Sequence, residues 1–138
     1  MSINYLSIVL ATATQFAVGA IWYMPLFGKL WGQIHGFDKL SKKEQKEMQT
    51  KMAPYYIVQI LVTFLTAFIL AKLLVMLPNT SPYSVGLMCW VGFLLPANIS
   101  SVIFGGTETK WMAKKAAVMA GGSLACTIVA VAVLSFIK

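Results

Sequence analysis

Amides and hydroxyls recur at helical spacing within the apolar stretches of this sequence, and they are its best candidates for binding chemistry. Thr12, Gln15 and Gly19 share one helix face, as do Gln59, Thr63 and Thr66. Asn98 and Ser101, with Ser100 beside them, form a third set, and Ser123, Cys126 and Thr127 a fourth. In lipid such groups either hydrogen-bond across helices or line a polar cavity or narrow pathway. Both readings stand for Gln15, Gln59, Thr63, Asn98 and Ser101. Pro96 lies in the run WVGFLLPAN and cannot donate to the carbonyl of Gly92, so a kink is expected there. Broken helices beside polar side chains form midplane substrate sites in transporters, and they also serve as packing devices.

The chemistry these residues exclude is as informative. Asp38, Glu44, Glu47, Glu108 and His35 all fall between the apolar stretches. A proton relay or cation-coupled cycle built on a carboxylate or histidine inside the membrane therefore has no residues to run on. Cys89 and Cys126 lack CxxC spacing and a histidine pair, and read as small buried residues rather than a disulfide or metal site. No metal or other cofactor is expected. There is no HExxH, no nucleophile beside a base and no phosphate-binding glycine loop. Gly105-Gly106-Thr107 is a glycine turn without the lysine spacing of a P-loop. An enzyme is not expected.

The elements that position these residues follow from composition. The chain has 138 residues, 59% hydrophobic and 11% charged, and a mean hydropathy of +0.77. A soluble domain carries about a quarter charged residues. So much apolar surface needs lipid as its solvent. Four stretches have at least the roughly 20 residues that cross a bilayer: about 5–27, 55–77, 83–104 and 115–137. The expectation is one all-α domain, a bundle of four transmembrane helices. Met1 to Asn4 lacks a basic segment, so no cleaved signal peptide is expected. Ser41 and Glu44 have capping-box spacing, which predicts a short cytoplasmic helix over Lys42–Met52 in the first loop. Pro54 then suits the first turn of the second span. The turn at 78–82 makes spans two and three antiparallel neighbours.

Charge sets the orientation. The net charge is +7, and every basic residue is a lysine. Without arginine, the bidentate reader of phosphate and guanine, nucleic acid is not the expected partner. Nine lysines fall in the first and third loops, leaving Lys72 and Lys138 on the other side. The positive-inside rule places both termini outside the cell (inner) membrane and both basic loops in the cytoplasm, facing anionic lipid. Lys72 is close enough to its helix end to snorkel. Trp22, Tyr23, Trp31, Tyr55, Tyr56 and Trp111 gather near the basic ends of the spans, as an interfacial belt does. Trp90 is the exception, two turns into its span, where its N–H needs a partner. The small residues Ala113, Ala117, Gly121 and Ala125 allow another helix close, in the bundle or in a second subunit. A weak echo links the halves: Val-Gly before Pro25 and before Pro96, then Phe-Gly followed by tryptophan.

The runs GAIWYMPLFGKLW (Gly19–Trp31) and WVGFLLPANISSVIFGG (Trp90–Gly106) carry a resemblance that extends over nearly the whole chain. The sequence resembles the DUF1761 family of small bacterial membrane proteins. On that resemblance Trp22, Tyr23, Pro25, Gly28 and Trp31, and later Gly92, Phe93 and Pro96, match the family pattern. Relatives follow the third span with an acidic, glycine and basic cluster, whereas here those types spread over Gly105–Lys110. The resemblance implies four spans and brings no established activity with it.

Two functions follow as expectations. One is a channel- or transporter-like protein with a polar pathway near Gln15, Gln59, Thr63, Asn98 and Ser101 beside the kink at Gly92 and Pro96. The other is an accessory protein that binds membrane lipids or a larger membrane partner through Lys42, Lys43 and Lys46. Four spans enclose little volume, so a homo-oligomer is expected. No small-molecule or ion ligand can be named.

Overall fold

A computed structural model describes residues 2–138, and the described chain is all-helical with four long apolar helices. Helix α1, Tyr5–Ile21, is capped by Asn4, whose side chain accepts from the Leu6 and Ser7 N–H groups. It passes through a π-helical turn, Trp22–Leu26, into a short helix α2, Gly28–Ile34. Helix α3 runs Lys42–Met76. The third span comprises α4, Pro82–Cys89, a second π turn, Trp90–Leu94, and α5, Leu95–Phe104. Helix α6, Met112–Phe136, completes the set. Four helices long and apolar enough to cross a bilayer make this a multi-pass membrane protein.

The first loop holds its short helix at Gly28–Ile34. The run Lys42–Met52 is helical as well, with the Ser41 hydroxyl accepting the Glu44 N–H at 3.2 Å. It does not stop before the second span. Helix α3 continues through Pro54 for 35 residues, about 52 Å at 1.5 Å per residue, against about 30 Å of hydrocarbon. The lysine- and glutamate-rich run favours helix strongly enough to carry it past the proline, which costs one backbone bond.

The first span ends one residue after Pro25, at Leu26, and Phe27 (φ −118°, ψ 12°) breaks the helix before α2. A proline ring clashes with the carbonyl four residues back. The π turn widens the coil by one residue, and the Phe27 N–H closes it onto the Trp22 carbonyl at 3.0 Å. Gly28 then passes close to the Tyr23 carbonyl, 3.2 Å from where a Cβ would stand. In the third span the irregularity falls before Pro96 rather than at it. Trp90–Leu94 forms the wide turn, and Pro96 occupies the first turn of α5, where it needs no N–H.

Helix α6 is the hub, packed along α1 and against both halves of the third span. The core lies at the end away from the loop lysines: Ile8 and Ala11 meet Ala67, Leu70 and Ala71 of α3, Val85 of α4, and Ala130, Val131 and Leu134 of α6. Small residues allow this approach. A Cβ on Gly86 would lie 2.6 Å from Val131 Cγ2, so only glycine lets α4 sit this close to α6. Toward the basic end α3 leaves the bundle, and every residue from Lys46 to Val62 is exposed.

Candidate functional site

The intramembrane polar residues fall into three separate sets. Gln15 is 6% exposed, and its backbone carbonyl accepts from Cys126 Sγ at 3.5 Å across the α1–α6 interface. Its side-chain Nε2 is buried without a hydrogen-bond partner. Gln59 and Thr63 bond each other within α3: the amide donates to Thr63 Oγ1 at 3.3 Å, and that hydroxyl donates to the Gln59 carbonyl at 2.7 Å. Thr63 is buried and Gln59 is exposed. Asn98 belongs to the α5–α6 interface, and Ser101, exposed on α5, donates to its carbonyl at 2.9 Å. No hydrogen bond among the described residues joins Gln15, Gln59 and Asn98 to one another.

Asn98 is part of a network centred on Ser123. Asn98 Nδ2 donates to Ser123 Oγ at 2.8 Å and lies 3.4 Å from the Met119 carbonyl. The Trp90 indole N–H reaches the same hydroxyl at 3.0 Å and the Ala120 carbonyl at 3.0 Å. The π turn brings the two together. Eight positions along an unbroken α-helix would set Trp90 and Asn98 roughly 80° apart; absorbing one extra residue returns them to within about 20°. Trp22 plays the matching part in the first span. Its N–H donates to the Val118 carbonyl at 2.9 Å, and its ring lies where Cβ atoms on Gly121 and Gly122 would stand, at 2.8 and 3.0 Å. Gly121, from the row of small residues, is thus used inside the bundle. Both π turns begin on a tryptophan that ties its span to α6.

The remaining motif residues build the basic end. Tyr23 meets Trp31 edge-on at 4.8 Å, Trp31 meets His35 at 4.4 Å, and Trp22 packs on Phe27 at 4.9 Å. Lys115 Nζ stands 5.8 Å from the Trp31 ring, and Lys110 and Lys114 stand 5.7 and 5.5 Å from Trp111. Indole faces hold ammonium groups in this way, by about 0.5–1 kcal/mol at exposed sites.

Between the loop after α2 and the loop joining α5 to α6 lies a cleft of about 580 Å³. His35, Asp38 and Lys39 line one side, and Thr107, Lys110 and Lys115 the other. Lys42, Lys43 and Lys46 are exposed on the first turns of α3 and do not line it. The sequence pointed to the lysine run and not to this cleft, because the two loops that form it are 70 residues apart between His35 and Gly105. The signals within reach were the Gly105-Gly106-Thr107 turn and the lysines after it. A second, smaller cavity of about 180 Å³ lies between α4 and α6, lined by Gly86, Leu87, Leu124, Ile128 and Val131 with Tyr83 and Thr127. It contains none of the candidate pathway residues. No cluster of three or more histidine, cysteine, aspartate or glutamate side chains that could hold a metal occurs among the described residues.

Comparison with curated proteins and with solved structures finds no significant match. A family described as "Protein of unknown function (DUF1761)" matches residues 6–135, which take in both π turns and all but the first residue of α1 and the last of α6. The chain belongs to the DUF1761 family.

Proposed function

We propose that this protein is a non-enzymatic accessory component of the cell membrane whose basic end binds anionic lipid headgroups. The observation that carries the reading is the cleft walled by Lys39, Lys110 and Lys115, set among interfacial tryptophans. The lysine run at the start of α3 extends the same positive surface. Juxtamembrane lysines each contribute about 1 kcal/mol of attraction to an anionic leaflet. The lysine asymmetry between the two ends supports placing this end in the cytoplasm and both termini outside. A larger membrane partner that itself presents acidic groups would meet the same surface.

The test is lipid enrichment around the full chain in mixed phosphatidylcholine–phosphatidylglycerol vesicles. Joint replacement of the cleft lysines Lys39, Lys110 and Lys115 and of the adjoining Lys42, Lys43 and Lys46 by Gln is expected to lower the share of phosphatidylglycerol retained on gentle extraction. Unchanged retention would count against the reading. Native mass spectrometry of the same samples also reads whether the chain forms the homo-oligomer expected from its sequence.

One observation favours the transport reading as a second hypothesis: the buried Gln15 amide without a partner. A solute that accepts from it would satisfy the group. If Gln15→Ala, Gln59→Ala and Asn98→Ala leave solute flux into vesicles unaltered, transport through these residues is ruled out.

A further inference from the structure

Resting on the lipid-binding reading, we infer that the cleft between the first and third loops is a discrete site for one phosphate group, carried by a lipid headgroup or free in solution. Three features of the cleft converge on that chemistry.

The first is an orphaned hydroxyl. Thr107 Oγ1 is buried without a hydrogen-bond partner and belongs to a residue lining the cleft. Leaving such a group unpaired costs about 1–3 kcal/mol, and an acceptor oxygen in the cleft would remove that cost.

The second is the backbone beside it. Gly105 has φ −92° and ψ 16°, and Gly106 follows with φ +72°. A right-handed residue followed by a left-handed one turns successive N–H groups toward a common point, a concavity suited to anions. Other helices here close their ends with a backbone bond, Leu77 onto Leu73 and Ile137 onto Val133. The N–H groups of Gly105, Gly106 and Thr107 make no such bond among the described residues. A side chain at Gly106 would be strained, and one at Gly105 would strike the Ser101 carbonyl, so this turn needs both glycines. Gly36, the other left-handed glycine among the described residues, lines the cleft as well.

The third is charge. The cleft is lined by Lys39, Lys110 and Lys115 and by Asp38 and Glu108, a formal surplus of one positive charge. Glu108 is paired with Lys110 at 3.4 Å, which leaves Lys39 and Lys115 without a carboxylate partner among the described residues. Hydroxyl, backbone N–H and ammonium donors together exceed what a carboxylate's two oxygens use. They suit the several oxygens of a phosphate. Trp31 and Trp111, which carry Lys115 and Lys110 on their faces, set the site at headgroup depth.

The experiment counts bound phosphatidylglycerol by native mass spectrometry on the full chain released from phosphatidylcholine nanodiscs doped with that lipid. Inorganic phosphate is titrated in a parallel arm. Wild type is expected to hold one tightly bound phosphate-bearing molecule per chain. Thr107→Val and Lys115→Gln are each expected to weaken it roughly tenfold, about 1.4 kcal/mol, with Thr107→Ser restoring it. Saturable binding of inorganic phosphate identifies a soluble ligand; retention of the lipid alone identifies a headgroup. Unchanged affinity in both Thr107→Val and Lys115→Gln overturns the site. In that case the variant neutralised at Lys42, Lys43 and Lys46 separates the two ideas. If it loses phosphatidylglycerol, the broader lipid-binding reading survives; if it too retains it, both fall.

Discussion

At one end of this bundle four helices close on aliphatic and small side chains; at the other, three remain together and the fourth departs. The closed end holds Ile8, Ala11, Ala67, Val85, Ala130 and Val131 at or near zero exposure. Its interfaces use alanine and glycine because lipid offers no hydrophobic drive and only close contact stabilises the pair. The basic end relies on Trp22 donating to the Val118 carbonyl of α6 and on a chain of aromatic contacts that ends in lysines, with Trp90 tying the third span to α6 deeper in the membrane. There α3 stands alone from Lys46 to Val62. A membrane protein of this size can hold its fold at one end and leave the other free to meet something else.

The sharpest way to break that contrast is to disturb the closed end. Gly86→Val would drive a side chain into Val131 and Thr127. Overpacking of this kind costs about 1–3 kcal/mol, and Ile8→Ala, fully buried, about 2–5 kcal/mol. Both should lower the unfolding midpoint in mild detergent. The matched change Ile57→Ala, on the exposed stretch of α3, should stay within about 0.5 kcal/mol. Equal losses at the two ends would dissolve the distinction.

A smaller effect separates the two π turns. Trp22→Phe and Trp90→Phe each remove an indole N–H, worth about 0.5–1.5 kcal/mol. The Trp90 change should cost more, because its N–H is shared between Ala120 and Ser123 and because Ser123 also serves Asn98. Asn98→Ala should cost about 0.6–1.7 kcal/mol, and the double variant with Trp90→Phe should be less than additive. Smallest of all, Gln59→Ala and Ser101→Ala should shift the same midpoint by a few tenths of a kcal/mol, since both positions are exposed.

Much of the fold was legible. Apolar length gave the four spans, Ser41 marked a helix start, and the tight turn at 78–82 joins α3 to α4. Three things were hidden, each for a physical reason. Helix propensity in the lysine- and glutamate-rich run outweighed the break suggested by Pro54. The π turns reset helical phase, so Trp90 and Asn98, out of phase by simple periodicity, share a face and both donate to Ser123 of α6. The partners of the Trp90 indole, Ala120 and Ser123, lie on another span, which spacing within its own helix does not reach. The cleft arises from two loops distant in the chain, and only the bundle's topology brings Lys39 near Lys110 and Lys115.

The most direct test of the claim that the basic end is the working end compares two variants for anionic lipid retained by the full chain in mixed phosphatidylcholine–phosphatidylglycerol vesicles. One carries Lys39→Gln, Lys110→Gln and Lys115→Gln, the other Gln59→Ala and Asn98→Ala. Loss of phosphatidylglycerol in the first variant with retention in the second is the result expected. Retention in the first, with a functional loss confined to the second, would contradict the claim and move the working site into the membrane interior.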